Sequence, residues 1–295
     1  MDKNDVRAMQ EDHVDQGKLR IQVHSQARPI ENARIRISYT GDPESSIEQV
    51  TTDANGQTET LELAAPPLEY SMEPSSSQPY AEYTLQITAP GYEPVTISGA
   101  EILPEAMALQ DVRMVPLEQP EEYQDIVIPA HTLYGEYPPK IAEAEIKPVS
   151  QTGEIVLSRV VIPEFIVVHD GSPADSSATD YYIRYRDYIK NVASSEIYAT
   201  WPRTTIMANV LAIMSFTLNR VYTEWYRNKG FDFTITSSTA FDHKWIYGRN
   251  IFESISEVVD EVFESYLSRP NVKQPILTQY CDGKRVSCPN WMTKR

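Results

Sequence analysis

One glutamate, Glu196, has mostly apolar and aromatic neighbours in the sequence. Ile197, Tyr198 and Trp201 follow it, and Pro202 ends any simple helix that contains it. Such neighbours predict a partly desolvated carboxyl group, because burial disfavours the charged form and raises the pKa. A carboxyl group that keeps its proton near neutral pH can act as a general acid. The alternative that the local sequence leaves open is a helix cap or a surface side chain.

Histidines and cysteines form a second set of candidates. His243 lies beside Asp242 in an aromatic segment, so the pair could contact a substrate or support the acid; the alternative is a structural histidine. Cys281 and Cys288 flank a short segment, and three states fit them: a local disulfide, two zinc ligands or two reduced thiols. Zinc would need two more ligands, for which His243 and His169 are available. Apart from this candidate zinc ion we expect no cofactor.

Aromatic residues and charge restrict the class of partner. Tyr182 and Tyr185 precede Glu196 and could stack on sugar rings, although ordinary packing is the alternative. The net charge of -16, with no run of Lys and Arg, argues against a nucleic-acid partner and leaves a neutral glycan compatible. The N-terminus lacks a signal-like apolar region and no stretch is apolar enough to cross a bilayer, so we expect neither a secretory signal nor a membrane span.

A pattern typical of β-strands precedes these candidates in residues 18–116. Alternating apolar and polar residues occupy four runs separated by turn residues, at 19–23, 33–39, 83–88 and 94–97. Short alternating strands at this spacing predict a β-sandwich.

The other boundaries follow from composition. The polar residues 1–17 predict a disordered tail, and the Pro- and Glu-rich residues 117–158 predict an extended linker suited to proteolytic processing. Strand and helix signals mix in residues 159–295, where apolar residues three and four apart predict helices at about 203–229 and 250–267. We therefore predict an α+β protein with an N-terminal β-sandwich, a Pro-rich linker and a C-terminal mixed α/β domain.

The first predicted domain resembles the transthyretin-like, carboxypeptidase-regulatory type of sandwich. The segments that carry this likeness are 29–33 (PIENA), 52–56 (TDANG) and 89–92 (APGY). Such modules are spacers, docking units or pro-segments, so the resemblance implies that residues 18–116 are a pro-domain.

The second predicted domain resembles the stage II sporulation protein D family. It has an apolar helix that leads to Glu196, then Trp201-Pro202, then an Ala-rich helix that contains Asn209. Longer strings are similar to the germination-specific spore cortex-lytic enzymes of clostridia: 65–70 (APPLEY), 131–135 (HTLYG), 168–173 (VHDGSP), 219–226 (NRVYTEWY) and 278–284 (TQYCDGK). The likeness ends near Met292, where relatives continue, which implies a fragment or a chain truncated at its C-terminus.

The resemblance implies a peptidoglycan lytic transglycosylase that degrades spore cortex during germination. Glu196 would protonate the glycosidic oxygen, and the 6-hydroxyl of the sugar would then close on C1 to give an anhydro-muramyl end. The residues that we predict to bind substrate are Tyr182, Tyr185, Trp201, Asn209, Asp242 and His243. The implied partners are cortex peptidoglycan and a germination protease that removes the pro-region. The implied location is the bacterial spore. Some relatives bind zinc through Cys and His near the cleft, which by analogy implies zinc ligands at Cys281, Cys288 and His243.

Two other functions stay open at this point. A hydrolytic glycosidase would pair Glu196 with Asp170 or Asp242 as the second carboxylate. A non-catalytic glycan-binding or spore-coat docking protein would use the β-sandwich and need no acid.

Overall fold

The computed structural model describes residues 14–72, 77–118, 125–130, 141, 143, 155–281 and 292–293. The chain forms two units. Unit 1 comprises Met1–Thr132, Tyr198–Trp201 and Tyr247–Ser254, and unit 2 comprises Leu133–Ile197, Pro202–Ile246 and Ile255–Arg295. Two short segments of the predicted second domain therefore belong to unit 1, and the units alternate along the sequence.

Strands dominate the first half of the described chain, and the longer helices lie in the second half. The strands described are β1 (Asp15–Ser25), β2 (Arg28–Pro29), β3 (Arg34–Tyr39), β4 (Asp42–Thr51), β5 (Leu61–Ala65), β6 (Ala81–Thr88), β7 (Val95–Ile102), β8 (Met107–Arg113), β9 (Ile126–Val127), β10 (Phe165–His169), β11 (Asp180–Arg184), β12 (Ile235–Thr236), β13 (Ile251–Phe252), β14 (Tyr280–Cys281) and β15 (Met292–Thr293). The helices described are α1 (Glu69–Met72), α2 (Tyr185–Glu196), α3 (Arg203–Tyr222) and α4 (Glu253–Val262), with a 3₁₀ turn at Arg227–Lys229.

Unit 1 contains two five-stranded sheets within the described residues. One sheet has the order β13-β8-β1-β2, with β5 also paired to β1, and the other has the order β4-β3-β6-β7-β9. Alternate residues of β1 and β3 are fully buried, namely Leu19, Ile21 and Val23 in β1 and Ile35 and Ile37 in β3. This period of two is the pattern of strands that bury one face. The transthyretin-like topology and the α+β class stay predictions.

The segment Tyr247–Ser254 is bonded to the sheets of unit 1 although it lies far from them in sequence. Its strand β13 pairs antiparallel with β8, at the edge of the sheet. The Arg249 guanidinium donates to the Glu101 carboxylate at 2.8 Å, and both side chains are buried. The Asn250 side chain exchanges two hydrogen bonds with the Glu101 backbone, each 2.9 Å long. Unit 1 thus includes segments from both halves of the sequence.

Unit 2 has a three-stranded sheet of order β11-β10-β12 together with α2, α3 and α4 from Ile255 onwards. Helix α2 begins directly after β11, and α3 follows Pro202, whose fixed backbone suits the start of a helix. The predicted helix at 203–229 is wrong in its second part, because Glu224 adopts φ 44°, in the left-handed region that a right-handed helix cannot continue through. The helix predicted at 250–267 is shorter as well, at Glu253–Val262. No helix among the described residues is long and apolar enough to cross a bilayer.

Candidate active site

Glu196 is the last residue of α2. The helix ends there because Ile197 is extended, with φ -140° and ψ 159°. The Glu196 residue is only 4 % exposed. A helix C-terminus carries a partial negative charge, which disfavours a second negative charge on a side chain beside it. The last turn of α2 contains no basic residue that would offset these two charges. The carboxylate therefore depends on hydrogen-bond donors from other parts of unit 2.

One hydrogen-bond donor and one buried hydroxyl come from distant parts of the sequence. The backbone N–H of Lys244, in the loop after β12, donates to Glu196 Oε1 at 2.8 Å. The Tyr280 side chain, on β14, is buried near the same carboxyl group. Burial raises the pKa of the Tyr280 hydroxyl well above its usual value, and the charge of Glu196 adds to the rise. The Tyr280 hydroxyl consequently stays protonated at neutral pH.

His243 joins the same interior. Its Nδ1 lies 3.2 Å from the Tyr188 hydroxyl, and its ring stacks on that of Tyr280 with centroids 5.9 Å apart and an angle of 11°. Burial raises the pKa of Tyr188 well above its usual value, and the charges of Asp242 and Glu196 raise it further. We call Glu196, Tyr188, His243 and Tyr280 the Glu196 cluster. All four are titratable side chains, and such groups gather at functional sites more often than elsewhere.

Asp242, the residue before His243, belongs to a second buried network. Its carboxylate accepts from Arg220 Nε at 2.7 Å, from the Tyr226 hydroxyl at 2.6 Å, and from the backbone N–H and hydroxyl of Thr236 at 2.9 and 2.7 Å. Burial alone would raise the pKa of Asp242, but the charge of Arg220 and these hydrogen bonds outweigh it and lower the pKa. Asp242 therefore stays ionised.

Arg220 completes this network with a second carboxylate. Its Nη1 and Nη2 donate to the two oxygens of Glu143 at 2.7 and 2.8 Å, and its side chain is fully buried. Burial alone would lower the pKa of Arg220, but Asp242 and Glu143 raise it. We call Arg220, Asp242, Glu143, Tyr226 and Thr236 the Arg220 cluster. By fixing Asp242, this cluster anchors the backbone that carries His243 and Lys244.

The other predicted site residues have separate contacts. Asn209 donates to the Thr205 carbonyl within α3 at 2.9 Å, and the buried Tyr185 hydroxyl donates to the Met214 carbonyl at 3.4 Å. Trp201 belongs to unit 1, where its Nε1 donates to the Ser71 carbonyl at 2.9 Å. These contacts are those of helix and core residues.

Tyr182 differs from the other predicted binding residues because it is 71 % exposed. It lies on β11 and stacks on Phe165 of β10, with ring centroids 4.7 Å apart. Of the predicted site residues, His243 lies in the same cluster as Glu196, and Asp242 is the residue before His243 in the chain. Tyr182 lies on the surface.

Sequence reasoning missed Tyr188 and Tyr280 as members of the cluster. Tyr188 lies eight residues before Glu196, which is about two helical turns, so both side chains share a helix face. This spacing is a signal that could have found Tyr188. Tyr280 and the Lys244 N–H reach Glu196 only through tertiary structure, and no local signal marks them.

The zinc prediction falls mostly outside the described residues. Cys288 lies outside them, and Cys281 is described only by its place in β14. His169, the other proposed ligand, lies with its Nδ1 2.7 Å from the Asp180 carboxylate and stacks on Phe233. No group of three or more His, Cys, Asp or Glu in the described ranges is arranged to hold a metal ion. Zinc at Cys281, Cys288 and His243 stays a prediction.

Comparisons with known proteins give no family for the chain. No family model matches, and no curated protein matches. Solved structures that are similar include catechol 1,2-dioxygenase from Acinetobacter sp. ADP1, at 13 % identity and TM-score 0.26 over 40 % of this chain and 60 % of that one. Hydroxyquinol 1,2-dioxygenase from Pseudomonas putida is 14 % identical with a TM-score of 0.26, over 37 % of this chain and 59 % of that one. A chain of a cohesin–X-dockerin complex from Acetivibrio cellulolyticus is 12 % identical with a TM-score of 0.24, over 37 % of this chain and 64 % of that one.

These likenesses cover less than two thirds of the similar chains and, at such TM-scores, assign neither a fold family nor a function to this chain. They do correct the sequence interpretation. The predicted membership of the stage II sporulation protein D family and of the clostridial cortex-lytic enzymes is wrong, because the comparisons return dioxygenases and find no sequence match. The predicted peptidoglycan lytic transglycosylase function is wrong for the same reason, and so is the predicted enzyme class.

Proposed function

We propose that unit 2 is a catalytic unit for proton-transfer chemistry in which Glu196 is the acid and base. The observation that supports this is the Glu196 cluster itself, where a buried carboxyl group accepts from the Lys244 N–H at 2.8 Å beside two tyrosines and a histidine. Glu196 lies at the negative end of α2, where the helix dipole disfavours the charged form of its side chain.

Each member of the cluster has a role in this proposal. Glu196 takes a proton from the substrate or returns one to it. Tyr280, which is held neutral by burial, donates a hydrogen bond to charge that develops on an oxygen of the substrate. Tyr188 and His243 contact each other and fix the wall of the site. Asp242 is a positioning residue that acts through the backbone of its neighbours.

A substrate with an ionisable C–H bond and a phenolate leaving group tests the proposal. In 5-nitrobenzisoxazole, a carboxylate removes the proton on C3, the N–O bond breaks, and a coloured cyanophenolate forms. We expect the wild-type protein to exceed acetate buffer of equal pH, and Glu196→Gln to lower the rate by about a hundredfold or more, as loss of a positioned base does. The measurement is the absorbance of the product against time.

Glu164→Gln is the matched control, because Glu164 is a surface carboxylate of the same unit, with its side chain 73 % exposed. It should leave the rate unchanged. Equal rates for wild type and Glu196→Gln, or no rate above buffer, would contradict the proposal.

The finer predictions of partner and location, namely cortex peptidoglycan, a processing protease and the spore, stay predictions on which this proposal does not depend.

A further inference from the structure

Unit 2 also contains a pocket of about 120 Å³ in which Glu196 takes no part. Its walls come from the start of β10, the end of α3 and the chain before β12. Its ring-sized space is bounded by Phe165, Val221, Trp225, Tyr226, Phe233 and Thr234, and charged side chains complete the lining. Four of these six side chains are aromatic, so the walls favour a flat ring that carries a polar group and can stack or pack edge-on.

The volume limits the ligand to one ring. A cavity of about 150 Å³ lined by apolar side chains is large enough to bind benzene. The pocket here measures about 120 Å³ and is open on one side, so a six-membered ring fills it and a fused ring system of drug size does not fit inside.

The cations at the pocket are already matched, which disfavours an anionic ligand. Arg220 lines the pocket, but its guanidinium is held by the carboxylates of Asp242 and Glu143. At the rim, Arg227 lies 3.6 Å from Glu224. The face of the Trp225 ring carries the chain's own Lys229 ammonium. An anionic ligand would lose its hydration without gaining an uncommitted cation, whereas a neutral ring would not.

Glu224 gives the pocket a polar end. This residue lines the pocket, and its side chain is mostly buried, 21 % exposed. Its left-handed backbone, φ 44°, ends α3 and turns Trp225 and Tyr226 towards the pocket. The Glu224 carboxylate can accept a hydrogen bond from a hydroxyl group on a bound ring.

We infer that this pocket binds a neutral, single-ring aromatic ligand of the phenol class, with the ring between the aromatic walls and the hydroxyl donating to Glu224. The site is separate from the Glu196 cluster, and the inference does not rest on the proposed acid–base function.

Two fluorinated single-ring probes of different charge test this preference. Fluorine NMR of 4-fluorophenol and 4-fluorobenzoate is recorded against increasing protein. We expect saturable binding of 4-fluorophenol and at least about tenfold weaker binding of 4-fluorobenzoate, which corresponds to about 1.4 kcal/mol. Equal affinities for the two probes, or no saturable binding of 4-fluorophenol, would overturn the inference.

Two further measurements locate the binding site. Val221→Phe fills the pocket and should weaken 4-fluorophenol binding at least about tenfold, whereas Val127→Phe, on exposed β9 of unit 1, should leave it unchanged. Independently of any variant, 4-fluorophenol bound to the wild type should give nuclear Overhauser contacts to the Trp225 indole. Unaltered binding by Val221→Phe in its folded state, or contacts that avoid Trp225, would place the ligand elsewhere and refute the inference.

Discussion

The Arg220 cluster and the Glu196 cluster bury carboxylates in the same unit but partner them differently. Asp242 and Glu143 share one guanidinium at 2.7 to 2.8 Å, and hydrogen bonds from Tyr226 and Thr236 complete the network. Glu196 accepts from the Lys244 backbone N–H and lies beside neutral tyrosines. The ion pairs of the first cluster fix its carboxylates in the charged state, which suits a structural role. The second cluster is the one that we propose to exchange a proton.

The largest expected effect is at the centre of the Arg220 cluster. Arg220→Met leaves the carboxylates of Asp242 and Glu143 buried without their shared cation. We expect the free energy of unfolding to fall by about 3 to 5 kcal/mol, the usual result of removing one partner from a buried ion pair. Urea unfolding followed by circular dichroism measures it. Arg203→Met is the control, since Arg203 forms exposed pairs with Glu257 and Glu261 that contribute about 1 kcal/mol at most.

Asp242→Asn should have a smaller effect that depends on pH. The pKa of Asp242 is lowered in the folded protein, so its stabilisation is complete above the unfolded pKa of about 3.9 and is lost as the pH falls through the folded pKa. At pH 7 we expect the variant to lose about 2 kcal/mol, the scale of hydrogen bonds to a charged group. The difference between wild type and variant in urea unfolding should shrink below about pH 4. A difference that stays constant down to that pH would show that Asp242 acts by packing alone.

Local sequence patterns predict much of the fold but less of these two clusters. The alternation of Leu19, Ile21 and Val23 marks β1 because one face of a strand is buried. Pro202 likewise marks the start of α3. The early end of α3 escapes such reasoning, because the left-handed Glu224 interrupts a sequence whose apolar periodicity continues to Trp225.

The ion pairs escape prediction for a different reason. Glu143 lies 77 positions before Arg220, in a segment whose composition predicts a linker, and only tertiary structure brings the two together. Glu196 could be singled out because its own neighbours are aromatic, but its donor at Lys244 is 48 residues away. Sequence therefore identifies the proposed acid more readily than the groups that set its environment.

The same chemical change at two glutamates gives the sharpest comparison. Glu143→Gln replaces a carboxylate that accepts two hydrogen bonds from Arg220, so we expect it to lower the free energy of unfolding by about 2 kcal/mol. Glu196→Gln keeps an oxygen that can accept from the Lys244 N–H, and at the C-terminus of α2 it removes a charge that the helix dipole opposes. We therefore expect a loss below about 1 kcal/mol. Urea unfolding of both variants at pH 7 measures the two values. A loss at Glu196 equal to or larger than that at Glu143 would mean that Glu196 holds structure as Asp242 does, and the division between the two clusters would fail.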